Sequence, residues 1–222
     1  MKMKERKDSV SKTYVNKNKD QKEIVRDSNQ KKIMAAAEVI FARFGFKGAT
    51  TEKIAKLAGI PKANLHYYYK TKAILYQELL EIILNEWMEA AEVFDNIEEP
   101  QLALTKYVRS KMQYSRNRPL ASKVWANEII HGAPVVGSFL ETTLKQWLND
   151  RVEIIQSWIE QGKIHSLDPT AFIYMIWSVT QHYADFEQQI EILNHGESYS
   201  DEEYELKTQQ VVKFVLASAG LN

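Results

Sequence analysis

The stretch Ala49-Thr50-Thr51-Glu52-Lys53-Ile54-Ala55-Lys56-Leu57-Ala58-Gly59-Ile60-Pro61-Lys62-Ala63-Asn64-Leu65-His66-Tyr67-Tyr68-Tyr69-Lys70-Thr71-Lys72 decides how this chain folds. Ile54, Ala55, Leu57 and Ala58 recur at helical spacing, so residues 51–58 can bury one face while Lys53 and Lys56 stay in water. Thr50 or Thr51 caps that helix, because a hydroxyl there accepts an orphan N–H of the first turn. Gly59 suits the position just past the helix end, where the backbone turns with positive φ. Pro61 starts the next helix, whose first turn tolerates a residue without an N–H. Leu65 and Tyr69 then lie one turn apart and face inward, which leaves Lys62, Ala63, Asn64, His66, Tyr67 and Tyr68 outside. A solvated face normally favours Glu and Lys. Amides and cations can read base edges in the major groove, and phenol hydroxyls and lysines can hold phosphates. An ordinary helical hairpin with half-buried tyrosines would share the apolar spacing, so charge has to separate the two.

The whole chain is neutral, with 29 basic and 29 acidic residues, yet the charge is divided. Residues 1–72 hold 18 Lys+Arg against 7 Asp+Glu, or +11, and residues 73–222 hold 11 against 22, or −11. Part of the excess belongs to residues 1–32, with 11 against 5, but residues 33–72 still carry 7 against 2. The helix pair is basic in its own right, as expected of a module that meets a polyanion.

At 222 residues the chain can form one large or two smaller domains with a real core. It contains no cysteine, which excludes disulfides, thiol nucleophiles and thiolate zinc sites. The longest apolar run, Phe172 to Val179, is far short of the roughly 18 residues that span a bilayer. The opening Met1-Lys2-Met3-Lys4-Glu5-Arg6-Lys7-Asp8 lacks the apolar centre of a signal peptide. A soluble, cytoplasmic protein without membrane contact is expected.

Residues 1–28 offer few large apolar side chains beyond Val10, Tyr14, Val15, Ile24 and Val25, and are expected to form a flexible basic tail. From residue 29 a helical stripe begins, Ile33, Ala36, Ala37, Ile40, Phe41 and Phe44, ending at Gly45. With the two helices after it, this makes a three-helix reading head over residues 29–72. The remainder, 73–222, contains no alternating run that argues for a strand. Helices are expected over 72–94, 100–116, 119–131, 135–162, 169–192 and 201–219, with Pro100, Pro119, Pro134 and Pro169 each following a break. The fold class is therefore all-α. The stretch from Ala171 to Phe186 is apolar on nearly all sides at first, and Val211, Val212, Phe214, Val215 and Leu216 give the last helix the same surplus. Such helices can cover their own core and also meet a second subunit, and a dimer is what paired DNA half-sites require.

With these residues in place, positions 29–90 resemble the DNA-binding region of TetR-family transcriptional regulators. The resemblance is carried by Thr50-Thr51, Ile54-Ala55, Ala58-Gly59, Leu65, Tyr68-Tyr69 and Lys72. The later region is similar to one branch, the pyrimidine-utilisation repressor and its relatives, through Ser115-Arg116, Pro119, Ala121-Ser122, Gly132-Ala133-Pro134, Ser157-Trp158, Gly162-Lys163, Asp168-Pro169, Met175-Ile176-Trp177 and Thr180 to Phe186. The resemblance implies a homodimer through the last two helices whose heads bind palindromic double-stranded DNA. It also implies a larger helical domain that holds a small effector. By position it puts Thr50, Thr51, Lys62, Ala63, Asn64, His66, Tyr67, Tyr68 and Lys72 at DNA, with Thr51 and Lys72 on phosphates. Pro61 stands where the family usually has a capping serine or threonine, and His66 where the branch has an apolar or aromatic residue.

For the effector, Trp177, Gln181 and Asp185 share one helix face at i, i+4 and i+8. An indole offers a flat wall, and a carboxamide presents donor and acceptor side by side, which matches the edge of a uracil or thymine base. Trp87, Lys111, Ser115 and Glu128 could complete the pocket from neighbouring helices. Aromatics at helical spacing are more often core, and Gln181 could instead bond a buried backbone group or the partner subunit. An enzyme would have to use His182, Asp185 and Glu128 as acid and base, or His131 and His182 as metal ligands. Neither set has a spacing such as His-Glu-x-x-His, and no nucleophile motif or Gly-rich phosphate loop occurs. No enzymatic activity, cofactor or metal is expected.

A prediction attaches to the helix pair itself. Asn64→Ala should relax preference at one base position of a site library while leaving the others unchanged, and uniform loss across the library would count against base readout.

Overall fold

The computed structural model describes residues 2–92 and 98–221, with side chains described at 25–89, 92 and 98–221. The elements are α1 Lys2–Gly48, α2 Thr51–Ala58, α3 Lys62–Tyr68, α4 Lys72–Ala91, α5 Pro100–Asn117, α6 Pro119–Ile130 and α7 Gly137–Phe139. A π-helical turn, Leu140–Leu144, follows α7, and then come α8 Lys145–Glu160, α9 Pro169–Asp185, α10 Glu187–Leu193 and α11 Asp201–Ser218. Among the described residues there is no strand, and the chain is all-α.

Two units divide within α4, between Leu79 and Leu80, where a boundary after Lys72 was expected. The first turns of α4 stay with the head because their side chains pack on it. The Tyr76 ring lies 4.7 Å from Phe41 and 4.9 Å from Phe46, and Tyr69 Oη donates to Glu78 at 3.2 Å. Ile33, Ala36, Ala37, Ile40 and Phe41 of α1 are buried as their spacing predicts, but Phe44 is 40% exposed, with the Lys53 ammonium 4.1 Å from its ring centre. Gly45 breaks the helix as expected, with φ 63° and ψ 176°, and a short further helical turn runs from there to Gly48. The helix also begins at Lys2, well before residue 29, since no proline or glycine interrupts residues 2–28. Val25 to Ser28 are exposed, and the tail side chains up to Ile24 lie outside the described residues.

The turn between α2 and α3 follows from its residues. Thr50 Oγ1 accepts from Lys53 N at 3.2 Å, which settles the cap on Thr50. Gly59 takes φ 68°, and Ile60 N donates back to Ala55 O at 3.1 Å, closing the helix end. Only Ile54 and Ala55 of α2 are buried, and Leu57 is 52% exposed, because an eight-residue helix packed on one side hides little more than one turn. Pro61 sits at the N-cap of α3 and not inside its first turn, with its carbonyl accepting from Asn64 N and Leu65 N.

In the second unit α5 packs against α9 and α11, and α6 against α9. The core combines Ala103, Leu104, Tyr107, Val108 and Met112 of α5 with Phe172, Ile173 and Ile176 of α9 and Val211, Val215 and Leu216 of α11. Pro100, Pro119 and Pro169 open their helices, and Asp168 Oδ1 caps Ala171 N at 2.7 Å. Pro134 does not, for a specific reason. Ala133 takes φ 54°, and the buried Glu128 carboxylate accepts from Val135 N at 2.6 Å and Val136 N at 3.2 Å, so helix resumes only at Gly137. The helix expected over 135–162 runs without a break from Gly137 to Glu160 and widens into the π-helical turn at Leu140–Leu144, while that expected over 169–192 breaks at Phe186, whose ψ of 24° separates α9 from α10. The helix expected over 72–94 is described to Ala91, and residues 93 and 94 lie outside the described residues. Among the described residues no helix is long and apolar enough to cross a membrane.

Glu128→Ala would leave two backbone donors without their acceptor. It should cost about 2–4 kcal/mol in denaturant unfolding, with Glu128→Gln losing less because it keeps one oxygen. An unchanged midpoint would remove this role.

Candidate functional site

The first unit presents α3 as a surface. Leu65 and Tyr69 are buried, while Lys62, Ala63, Asn64 and His66 are exposed and Tyr67 is 79% exposed. Tyr68 is half-buried, and its hydroxyl accepts from Asn29 Nδ2 at 3.3 Å, which ties the end of α3 to α1. Its ring stands edge-on to Tyr67 at 5.4 Å. Lys53, Lys56, Lys62 and Lys70 are all exposed, and Lys53 Nζ donates to Gly48 O at 3.2 Å. Thr50 is exposed although its hydroxyl serves the cap, and Thr51 is half-buried at the first position of α2. Lys72 is more occupied than its sequence position suggests. Its ammonium donates to Phe46 O at 2.5 Å and Ala49 O at 2.9 Å, and lies 4.4 Å from the Phe46 ring centre. Two of its three donors are engaged there.

The second unit holds a partly open cavity of ≈ 80 Å³. Of the seven residues expected at an effector, Trp87, Lys111, Trp177 and Gln181 line it. Ser115, Glu128 and Asp185 do not. Ser115 Oγ donates to the Thr180 carbonyl at 2.9 Å, and Glu128 holds the turn before α7. Asp185 accepts from Ser122 Oγ at 2.6 Å. Burial raises the Asp185 carboxyl above its ordinary pKa, opposed by the Ser122 hydrogen bond and the nearby positive charge of Lys111. Asp185 thus reaches the cavity only through its field on Lys111.

The remaining walls were not foreseen: Leu84, Met88, Tyr107, Trp125, Phe139, Leu144 and Trp147. Four of the five tryptophans in the chain meet here, each from a different helix, so their convergence is a product of the fold and not of local spacing. Their geometry is fixed by mutual contact. Trp87 lies 5.2 Å from Trp125, Trp147 lies 6.0 Å from Trp177, and Trp177 Nε1 donates to Tyr107 Oη at 2.8 Å. Burial drives the Tyr107 phenol far above its usual pKa, so it remains a neutral hydroxyl. The cavity can therefore take a flat ring between indoles and address its edge with an ammonium and a carboxamide.

Comparison with known proteins bears on both units. Residues 33–79 match the family of bacterial regulatory proteins, tetR family, and residues 80–222 match the YcdC-like protein, C-terminal region. The chain is 36% identical over 189 residues to the HTH-type transcriptional regulator RutR of Escherichia coli K12, covering 85% of this chain and 89% of that protein. Among solved structures it is similar to the ketosteroid transcriptional regulator KstR2 of Mycobacterium tuberculosis, with a TM-score of 0.71 and 19% identity over 85% of this chain and 93% of that one. It is also similar to the transcriptional regulator FadR of Bacillus subtilis in complex with stearoyl-CoA, with a TM-score of 0.60 and 18% identity over 84% and 97% of the two chains. At these identities the two structures speak for the fold alone, while the family matches and the similarity to RutR bear on function. The chain belongs to the TetR family and is a DNA-binding transcriptional regulator, not an enzyme.

Proposed function

We propose that this regulator acts as a dimeric repressor that places α3 in the major groove of a palindromic operator and answers to a pyrimidine base held in the aromatic cavity. The observation that carries the DNA half is the division of α3 into a buried pair, Leu65 and Tyr69, and an exposed set that can read base edges through Lys62, Asn64 and His66. Tyr67, Thr51, Lys70 and the remaining donor of Lys72 are suited to phosphates. The cap hydroxyl of Thr50 and the methyl of Ala63 complete the contact surface, and Tyr68 positions it.

For the effector, size and chemistry agree. A cavity of ≈ 80 Å³ is small beside the several hundred Å³ typical of drug-sized pockets, so it suits a single ring and not a long acyl chain. Uracil and thymine are flat rings whose edges alternate carbonyl oxygens with N–H groups, which Gln181 can meet with its paired donor and acceptor. The similarity to RutR and to the pyrimidine-utilisation branch supports the same choice.

For the dimer, α9 leaves Tyr174, Ser178, His182 and Phe186 exposed along one stripe, and α11 leaves Leu206 and Phe214, the latter 62% exposed. Two such stripes from each protomer make a four-helix interface of the isologous kind.

Two measurements test these proposals. Calorimetric titration with uracil or thymine should show binding and a change in operator affinity, and Gln181→Ala should weaken binding by at least roughly tenfold. No heat and no effect on the operator would remove the pyrimidine assignment. Phe214→Asp should move the protein from dimer to monomer in sedimentation and weaken operator binding with it, and an unaltered dimer would place the interface elsewhere.

A further inference from the structure

The cavity's polar groups are unequal in kind. Lys111 is 7% exposed, lines the cavity, and holds its ammonium 4.3 Å from the Trp87 ring centre. Among the described residues no oxygen accepts a hydrogen bond from it. The nearest carboxylate to act on it, Asp185, spends Oδ1 on Ser122 at 2.6 Å and does not line the cavity. Trp87 and Trp147 each carry a buried indole N–H without an acceptor. On the other side of the account, the Tyr107 oxygen already receives the Trp177 N–H, which leaves Gln181 as the side chain with an open acceptor. Donors therefore outnumber acceptors around a space sized for one ring.

A buried cation with three unused donors is costly unless something in the cavity meets it. The ring face of Trp87 offsets part of that cost through its quadrupole. Burial lowers the Lys111 pKa to about 8, with Asp185 pulling the other way, so the ammonium form still predominates at neutral pH. An oxygen carrying negative charge would satisfy it best, because charge-assisted hydrogen bonds are the strong ones and the surrounding indoles keep the dielectric low. A ring amino group would do the opposite, setting further donors against donors.

We infer that Lys111 makes this cavity selective for planar oxo-heterocycles bearing negative charge on an oxygen. An anionic oxopyrimidine is then held more tightly than a neutral dioxopyrimidine, and an aminopyrimidine least of all. This rests on the pyrimidine assignment above and adds a ranking within it.

The test is calorimetric titration of the full chain at pH 7 with barbituric acid, which is deprotonated at that pH, with uracil and with cytosine, repeated on Lys111→Met and Lys111→Gln. Thermal unfolding verifies that each variant folds, and two variants are used so that one misfolded protein does not end the test. Barbiturate should bind at least roughly tenfold more tightly than uracil, and cytosine at least roughly tenfold more weakly. Both variants should lose far more affinity for barbiturate than for uracil, closing the gap between them. If uracil binds while barbiturate binds no better, or if the barbiturate advantage survives in the variants, the role of Lys111 is overturned and the pyrimidine assignment stands. If none of the three compounds binds, both fall together.

Discussion

A helix of seven residues has too few internal hydrogen bonds to persist by itself in water, so α3 exists because Leu65 and Tyr69 are anchored beneath it. Those two side chains also set the rotation of the helix about its axis. Once they are fixed, Lys62, Asn64, His66 and Tyr67 have to face outward. The surroundings reinforce the orientation at each end. Pro61 takes the N-cap with its φ preset, and the Tyr68 hydroxyl is tied to Asn29. Lys72 contributes from the side by binding the carbonyls of Phe46 and Ala49, where the end of α1 leads into α2. The exposed face of α3 is therefore a consequence of packing, and its chemistry is carried by residues that do not pack.

In the second unit the same division between packing and chemistry runs the other way. There the aromatic rings form the enclosure, and the few polar groups are held in place by being crowded. Trp177 is oriented by its hydrogen bond to Tyr107, and Lys111 by the face of Trp87. Polar atoms near this space that do have internal partners, those of Ser115, Glu128 and Asp185, are spent on maintaining the fold.

How much could be read from the sequence depended on how local the cause was. Gly59, the buried Leu65 and Tyr69, the helix-opening Pro100, Pro119 and Pro169, and the exposed Lys62, Ala63, Asn64, His66 and Tyr67 all follow from neighbours within one or two turns, while Tyr68, expected outside with them, is half-buried because Asn29 of α1 reaches its hydroxyl. The Ser200 to Glu203 capping box of α11 follows just as directly from its Ser-x-x-Glu spacing. Leu57 and Phe44 fit the apolar period but are exposed, because periodicity shows which face a residue shares and not how far the neighbouring helix extends. The cavity was half legible. Trp177 and Gln181 are four apart on one helix, whereas Trp125, Trp147 and Tyr107 reach the same space from three other helices, and nothing local links them. Glu128 and Ser115 were misplaced for a related reason. A buried carboxylate or hydroxyl in this chain finds a backbone partner nearby, and the sequence does not show where the backbone is left unpaired.

The π-helical turn at Leu140–Leu144 has a consequence for how such a protein can change. Phe139 and Leu144 both reach the cavity although they are five residues apart, a separation that suits a widened turn and not an ordinary one. In a regular helix each residue advances about 100° around the axis, so deleting one residue here would restore α-geometry and leave the two side chains four apart, still on one face. A single-codon loss would thus tighten this wall by one residue in one step and keep both side chains on the chamber, whereas substitutions would change it ring by ring. The wall at Phe139 and Leu144 is where descendants of this chain could acquire a different effector without disturbing the head that finds the DNA.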